Sequence, residues 1–164
     1  MIYYDTFDSP IGTLLATSDG ERVTGIYMEN HKGGPIIGPE WRRDPGRFAE
    51  TRRQIGEYFA GRRRAFDLPL ALSGTPFQKQ VWDELLAIPY GGTTTYGAIA
   101  KKLGDPNASR AVGTAVGRNP ISIVVPCHRV LGSSGAITGF AGGVDKKRQL
   151  LDLESQPHDL FAAR

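Results

Sequence analysis

The periodicity of the chain changes at Ser73-Gly74-Thr75-Pro76, and this change constrains the fold more than any other feature. Before it, apolar residues occur in short β-branched and aromatic runs; after it, they recur at helical spacing. Met1 to Phe7, Gly12 to Ser18 and Arg22 to Met28 are separated by Ser9-Pro10 and Asp19-Gly20. They read as an antiparallel meander, with a strong hairpin signal at the second turn. Asn30 to Pro39 (NHKGGPIIGP) is loop by composition. Asp44-Pro45 opens a helix to about Ala60, with Phe48, Ile55, Tyr58 and Phe59 at helical spacing and Gly61 as its stop. Ala65 to Leu70 is expected as a final strand, and no chemical constellation stands out in this half.

After the break, Phe77, Val81, Trp82, Leu85, Leu86 and Ile88 mark an amphipathic helix ended by Pro89-Tyr90-Gly91-Gly92. Tyr96, Ile99, Ala100 and Leu103 follow at i, i+3, i+4, i+7 and stop at Gly104. The turn Gly104-Asp105-Pro106-Asn107 leads to a helix from Ala108 to about Gly117, a helix-turn-helix pattern. The expected fold is therefore α/β in two parts. Residues 1–73 form a small antiparallel-sheet domain with one main helix, residues 74–155 a mainly helical domain containing the helix-turn-helix, and residues 156–164 a tail.

On the second helix of that pair, Ala108, Val112, Ala115 and Val116 share one face and Arg110, Gly113, Thr114 and Gly117 the other. A helical Gly costs about 1 kcal/mol relative to Ala, so two on an exposed face need a reason. Either a bulky partner approaches closely there, with Arg110 projecting, or Gly117 is a C-cap and Gly113 packs on a neighbouring helix.

With 164 residues, 40% hydrophobic and 23% charged, the chain can bury a core. No apolar run approaches the roughly 18–20 residues of a membrane span. The start MIYYDTFDSPIG lacks the pattern of a secretory signal, and the single cysteine allows no internal disulfide, so a cytoplasmic protein is expected. Residues 1–73 hold ten basic and ten acidic side chains, whereas residues 74–155 hold nine and six. The net charge of +3 thus resides in the second half, where it would suit an acidic polymer.

Ile121 to Val125 is a short apolar run leading into Pro126-Cys127-His128-Arg129-Val130. An adjacent imidazole and guanidinium can favour the nucleophilic thiolate. In a regular strand, however, Cys127 and His128 would face opposite ways, so activation requires a turn or helical geometry. A histidine base also needs an orienting group, for which Glu154 is the candidate, on or just past a helix from Asp145 to Leu153. His31, His128 and His158 are too scattered, with one cysteine, for a zinc site, and no metal is expected. The loops Gly132-Ser133-Ser134-Gly135 and Gly139-Phe140-Ala141-Gly142-Gly143 can present backbone N–H groups to a ligand, but lack a phosphate-loop lysine.

Together with Gly117-Arg118-Asn119-Pro120 and Ser109-Arg110-Ala111-Val112-Gly113, the cysteine motif resembles the O6-alkylguanine-DNA alkyltransferases over about Thr75 to Glu154. The resemblance implies a DNA repair protein that flips O6-alkylguanine out of duplex DNA and moves the alkyl group irreversibly onto Cys127. His128, acting through a water and oriented by Glu154, would take the thiol proton. Asn119 would hold the turn before the active-site strand, and Tyr96 would donate a hydrogen bond to a guanine ring nitrogen. Arg110, Ala111, Gly113 and Ser133 would meet DNA, Arg110 filling the space of the flipped nucleotide from the minor groove. Phe140 and Ala141 would wall the base pocket; they stand where the pattern has Tyr and Ser, so a hydroxyl contact is missing. The implied protein is a monomer, and no cofactor is implied. Other readings remain in view: a non-catalytic binder of alkylated DNA would lack the cysteine, and a Cys-His hydrolase would turn over and ignore DNA. A plain helix-turn-helix regulator would need neither Cys127-His128 nor Glu154.

Overall fold

The computed structural model describes residues 1–156; residues 157–164 of the expected tail lie outside the described residues. Strands β1 (Tyr3–Ser9), β2 (Gly12–Ser18) and β3 (Val23–Met28) form the expected antiparallel meander. The tighter hairpin is the first, where Ser9 pairs with Gly12 around Pro10-Ile11. At the second turn, the Asp19 carboxylate accepts from the Glu21 and Arg22 N–H groups, and the ladder bulges at Thr17/Ser18. Such a side-chain-capped turn relaxes the demand for a two-residue loop.

Two expectations for this half are corrected. The sheet's fourth strand is β4 (Arg42–Arg43), parallel to β1, giving the order β3-β2-β1-β4. Ala65 to Leu70 forms no strand; only Leu70 makes an isolated parallel bridge to Val23, through Val23 N–H to Pro69 O and Ala71 N–H to Val23 O. Pro69 has no N–H with which to extend a ladder. A 3₁₀ turn (Pro45–Phe48) then leads into α1 (Ala49–Phe59), which buries Ile55 and Tyr58.

The second half begins with α2 (Pro76–Leu86), whose N-terminus carries a reciprocal capping box between Thr75 and Gln78. Helices α3 (Tyr96–Lys102) and α4 (Ser109–Gly117) form the helix-turn-helix, with Gly104 at φ +90° in the turn. Trp82 on α2 donates its indole N–H to Ala115 O at 2.9 Å, locking α2 against the buried face of α4. β5 (Thr94–Thr95) and β6 (Val130–Leu131) pair in parallel, and α5 (Val144–Ser155) closes the fold. No described helix is long and apolar enough to cross a membrane.

The free edge of β3 joins the two halves. Ile26 N–H donates to Pro120 O at 2.9 Å and Ser122 N–H to Ile26 O at 3.0 Å. The N-terminal sheet therefore fixes the segment that runs into Cys127. That segment, expected as a strand, is a sequence of tight turns because its hydrogen bonds close locally. Val124 N–H bonds to Ser122 O around Ile123, whose φ is +75°. For a buried β-branched residue this backbone costs on the order of 1–3 kcal/mol, and it persists only where the surroundings enforce it.

Candidate active site

Asn119 is the local organiser. Buried to 1% exposure, it accepts Ile121 N–H on Oδ1 at 3.0 Å and donates Nδ2–H to Val125 O at 2.8 Å. Pro126, at φ −82° and ψ 67°, makes an inverse γ-turn in which Cys127 N–H reaches Val125 O at 2.8 Å. Cys127–Arg129 is then a 3₁₀ turn. This is the non-strand geometry that the Cys-His adjacency requires.

Glu154 lies in the last turn of α5 and is buried. Its Oε2 lies 2.6 Å from His128 Nε2 and accepts from Arg129 Nη2 at 3.0 Å, while its Oε1 accepts Arg129 Nε at 2.7 Å. Burial alone would raise the Glu154 pKa, but the hydrogen bonds from His128 and Arg129 outweigh it and hold it at about 2. An ionised carboxylate only accepts, so His128 carries its proton on Nε2. His128 Nδ1 is buried and takes no hydrogen bond among the described residues. Burial pushes the imidazole below its ordinary value, against the pull of Glu154. A neutral imidazole with a free Nδ1 lone pair is a proton acceptor.

Cys127 is the single cysteine and is 6% exposed. Burial pushes its thiol up; a hydrogen bond from the Asn119 side chain and the nearby Lys147 ammonium oppose that shift. The resting group is thus a thiol that needs a base. It lines a cleft of ≈ 290 Å³ together with Tyr96, Asn119, Phe140 and Ala141, near the lower end of ligand-sized sites at roughly 300–1,000 Å³. Tyr96 presents its hydroxyl beside Thr138 O, at 3.3 Å. Gly113 and Gly117 of α4 line the same cleft. A Cβ on Gly113 would meet only the Tyr96 ring at 3.7 Å, and one on Gly117 would meet nothing within 4 Å. Internal packing therefore does not impose either glycine. Arg110, Ala111 and Ser133 are exposed, and Arg110 makes no ion pair among the described residues.

Several contributors escape the sequence reading. Lys147 is fully buried, bonds Thr138 O at 2.7 Å, and is lowered to about 8 by desolvation. Its signal was the i, i+3, i+7 face it shares with Leu150 and Glu154. The first half, expected to carry no chemistry, adds His31 and Lys32 to the cleft wall and Tyr58 to Glu154. Lys32 N–H donates to Ala141 O at 3.0 Å, and Gly142 approaches Met28 so closely that a Cβ would lie 2.5 Å from its sulfur. Among the described residues, no group of three or more His, Cys, Asp or Glu side chains could hold a metal ion.

Residues 2–72 match the family described as 6-O-methylguanine DNA methyltransferase, ribonuclease-like domain, and residues 76–156 match its DNA binding domain. The chain is 49% identical over 162 residues to a methylated-DNA–protein-cysteine methyltransferase of Mycobacterium bovis, covering 98% of each. It is 49% identical over 153 residues to a protein of the same name from Methanosarcina acetivorans, covering 93% of this chain and 98% of that one. The solved structure of Mycobacterium tuberculosis OGT in complex with DNA superposes with a TM-score of 0.88 at 47% identity, over 99% of each chain. The chain belongs to the 6-O-methylguanine DNA methyltransferase family.

Proposed function

We propose that this protein repairs O6-alkylguanine in double-stranded DNA by transferring the alkyl group to Cys127, once per molecule. The observation that carries this reading is the buried relay Glu154–His128 beside a lone thiol that opens into a base-sized cleft. His128 Nδ1 takes the thiol proton through a water. The Cys127 sulfur then attacks the alkyl carbon, an S–C bond forms as the C–O6 bond breaks, and the electron pair leaves on guanine. Tyr96 donates to a ring nitrogen so that the base departs without full negative charge. The product thioether has no leaving group, so the reaction ends there. No cofactor is needed, because the acceptor is the protein's own side chain.

The alkyl carbon lies within the base stack, and reaching it requires flipping at a cost of a few kcal/mol. α4 is suited to flipping, since its two glycines let a minor-groove wall approach and Arg110 can occupy the place of the extruded nucleotide. Ala111 flanks Arg110 on this helix, Ser133 contacts the DNA backbone, and Phe140 and Ala141 wall the base. The similar M. tuberculosis protein was crystallised with DNA, in keeping with this use of the surface. The protein acts as a monomer, and its thiol fits a reducing, cytoplasmic setting. The direct test uses duplex DNA labelled in the O6-methyl carbon: label should pass to the protein and unmodified guanine should remain in the DNA. Label released as methanol would favour hydrolysis instead.

Arg110→Ala should slow repair of duplex DNA by tenfold or more (roughly 1.4 kcal/mol) while leaving reaction with a free O6-alkylguanine base nearly unchanged. Equal losses on both substrates in single-turnover assays would remove Arg110 from the flipping step. Tyr96→Phe should cost at least about tenfold on both substrates, since a donor aimed at developing charge is worth on the order of 3 kcal/mol. Phe140→Tyr should change the rate by less than about tenfold, because it adds a hydroxyl the site does without. The reverse ordering would mean that the principal donor is not Tyr96.

A further inference from the structure

Glu154 accepts a hydrogen bond that the reaction scheme does not use. Tyr58, on α1 in the N-terminal half, donates its hydroxyl to Glu154 Oε2 at 2.5 Å. Tyr58 is 0% exposed and its ring is fixed by Phe59, Phe66 and Tyr90. The same Oε2 serves His128 Nε2 and Arg129 Nη2, so three donors divide one oxygen. A carboxylate directed only at His128 would stabilise the imidazolium, and a protonated imidazole cannot take the proton of Cys127.

We propose that Tyr58 is a positioning residue for alkyl transfer: by occupying Glu154 Oε2, it keeps His128 oriented yet neutral, as the acceptor of the Cys127 proton. The inference rests on the reading of His128 as the base. The charged and titratable groups around His128 agree with it. Arg129, on the same turn, and Lys147, on α5, both disfavour a further positive charge on the ring. Glu154 favours one, and Tyr58 and Arg129 are groups that moderate it. Tyr90 lies against the Arg129 guanidinium, 5.8 Å from its ring centroid. Burial and the adjacent carboxylate push the Tyr58 hydroxyl far above its ordinary range, so it remains a donor at any working pH. The N-terminal half thus reaches the chemistry through a side chain, in addition to the sheet edge that holds the Pro120–Ser122 segment.

The test is Tyr58→Phe in the full chain, which keeps the ring and removes only the hydroxyl. Histidine ¹⁵N shifts, with His128 assigned through His128→Gln, should show the His128 titration moved up by about one pH unit or more. The rising limb of single-turnover transfer to free O6-benzylguanine should move up by the same amount. The rate should therefore fall several-fold at low pH and recover toward the wild-type value at high pH. An unmoved His128 titration, or a rate lowered equally at all pH values or not at all, would overturn the proposal. The wild-type control separates the two levels: if it transfers no alkyl group to Cys127, the reading of the site itself fails, whatever the titration shows.

Discussion

Cys127→Ala should abolish alkyl transfer completely while lowering the melting temperature by no more than about 5 °C and leaving the affinity for O6-methylguanine duplex nearly unchanged. The sulfur is the only atom in the scheme that forms a new bond to the substrate, so no neighbouring group can substitute for it. Removing it deletes one small side-chain atom from a buried site, a change expected to cost no more than about 1–2 kcal/mol. The groups assigned to DNA, Arg110 and the small face of α4, lie on another element and stay in place. A gel-shift titration and a thermal melt, run beside the transfer assay, check all three parts. Residual transfer by the Ala variant would move the acceptor to another residue. Loss of DNA binding would mean that Cys127 serves the fold of the binding surface.

Glu154→Gln should be nearly as severe and should also lower stability. The amide keeps the shape but removes the charge that faces Arg129 and orients His128. Arg129 is buried and bonds Ile88 O at 2.7 Å, so it cannot turn out to solvent without unmaking its surroundings. Breaking a buried pair by removing one partner costs about 3–5 kcal/mol, on the order of 10 °C in melting temperature for a chain of this size. Transfer should fall at least about a hundredfold, as when the orienting acid of a nucleophile–base pair is neutralised. The pH dependence gives a second signature. Glu154 is held at about 2, below its ordinary 4.5, so the wild type has this contribution in full above pH 4.5. It is lost as pH falls through 2 and amounts to on the order of 3 kcal/mol. The Gln variant lacks that acid-side slope, and melts taken across the acid range would reveal the difference.

How far these features were legible in the sequence depended on whether their causes were local. Turn residues and helical spacing are local, so the meander, α1 to α4 and the helix-turn-helix could be read directly. The Cys-His adjacency and Glu154 could be named because their chemistry belongs to residue type. Ala65 to Leu70 has strand composition, but Pro69 and the single bridge to Val23 reduce it to an extended segment. β4 has two residues and exists because β1 offers it an edge, which no local pattern records. Tyr58 read as a core aromatic of an amphipathic helix, and it is one; its second role depends on a carboxylate 96 residues away. Lys147 sat in the polar run DKKR, where residue type hides the inward lysine and only its i, i+3, i+7 spacing to Leu150 and Glu154 marks it. His31 and Lys32 lay in a segment read correctly as loop, and only the packing of that loop on Ala141 brings them to the cleft.

The central claim is a stoichiometric, self-inactivating transfer to one thiol. It is tested most directly by intact-mass measurement of the wild-type protein after incubation with excess O6-methylguanine duplex, followed by peptide mapping. The expected result is one added methyl per molecule, on Cys127, with guanine restored in an amount equal to the protein and none thereafter. Guanine restored in excess over protein, or a methyl group on any other residue, would contradict the account.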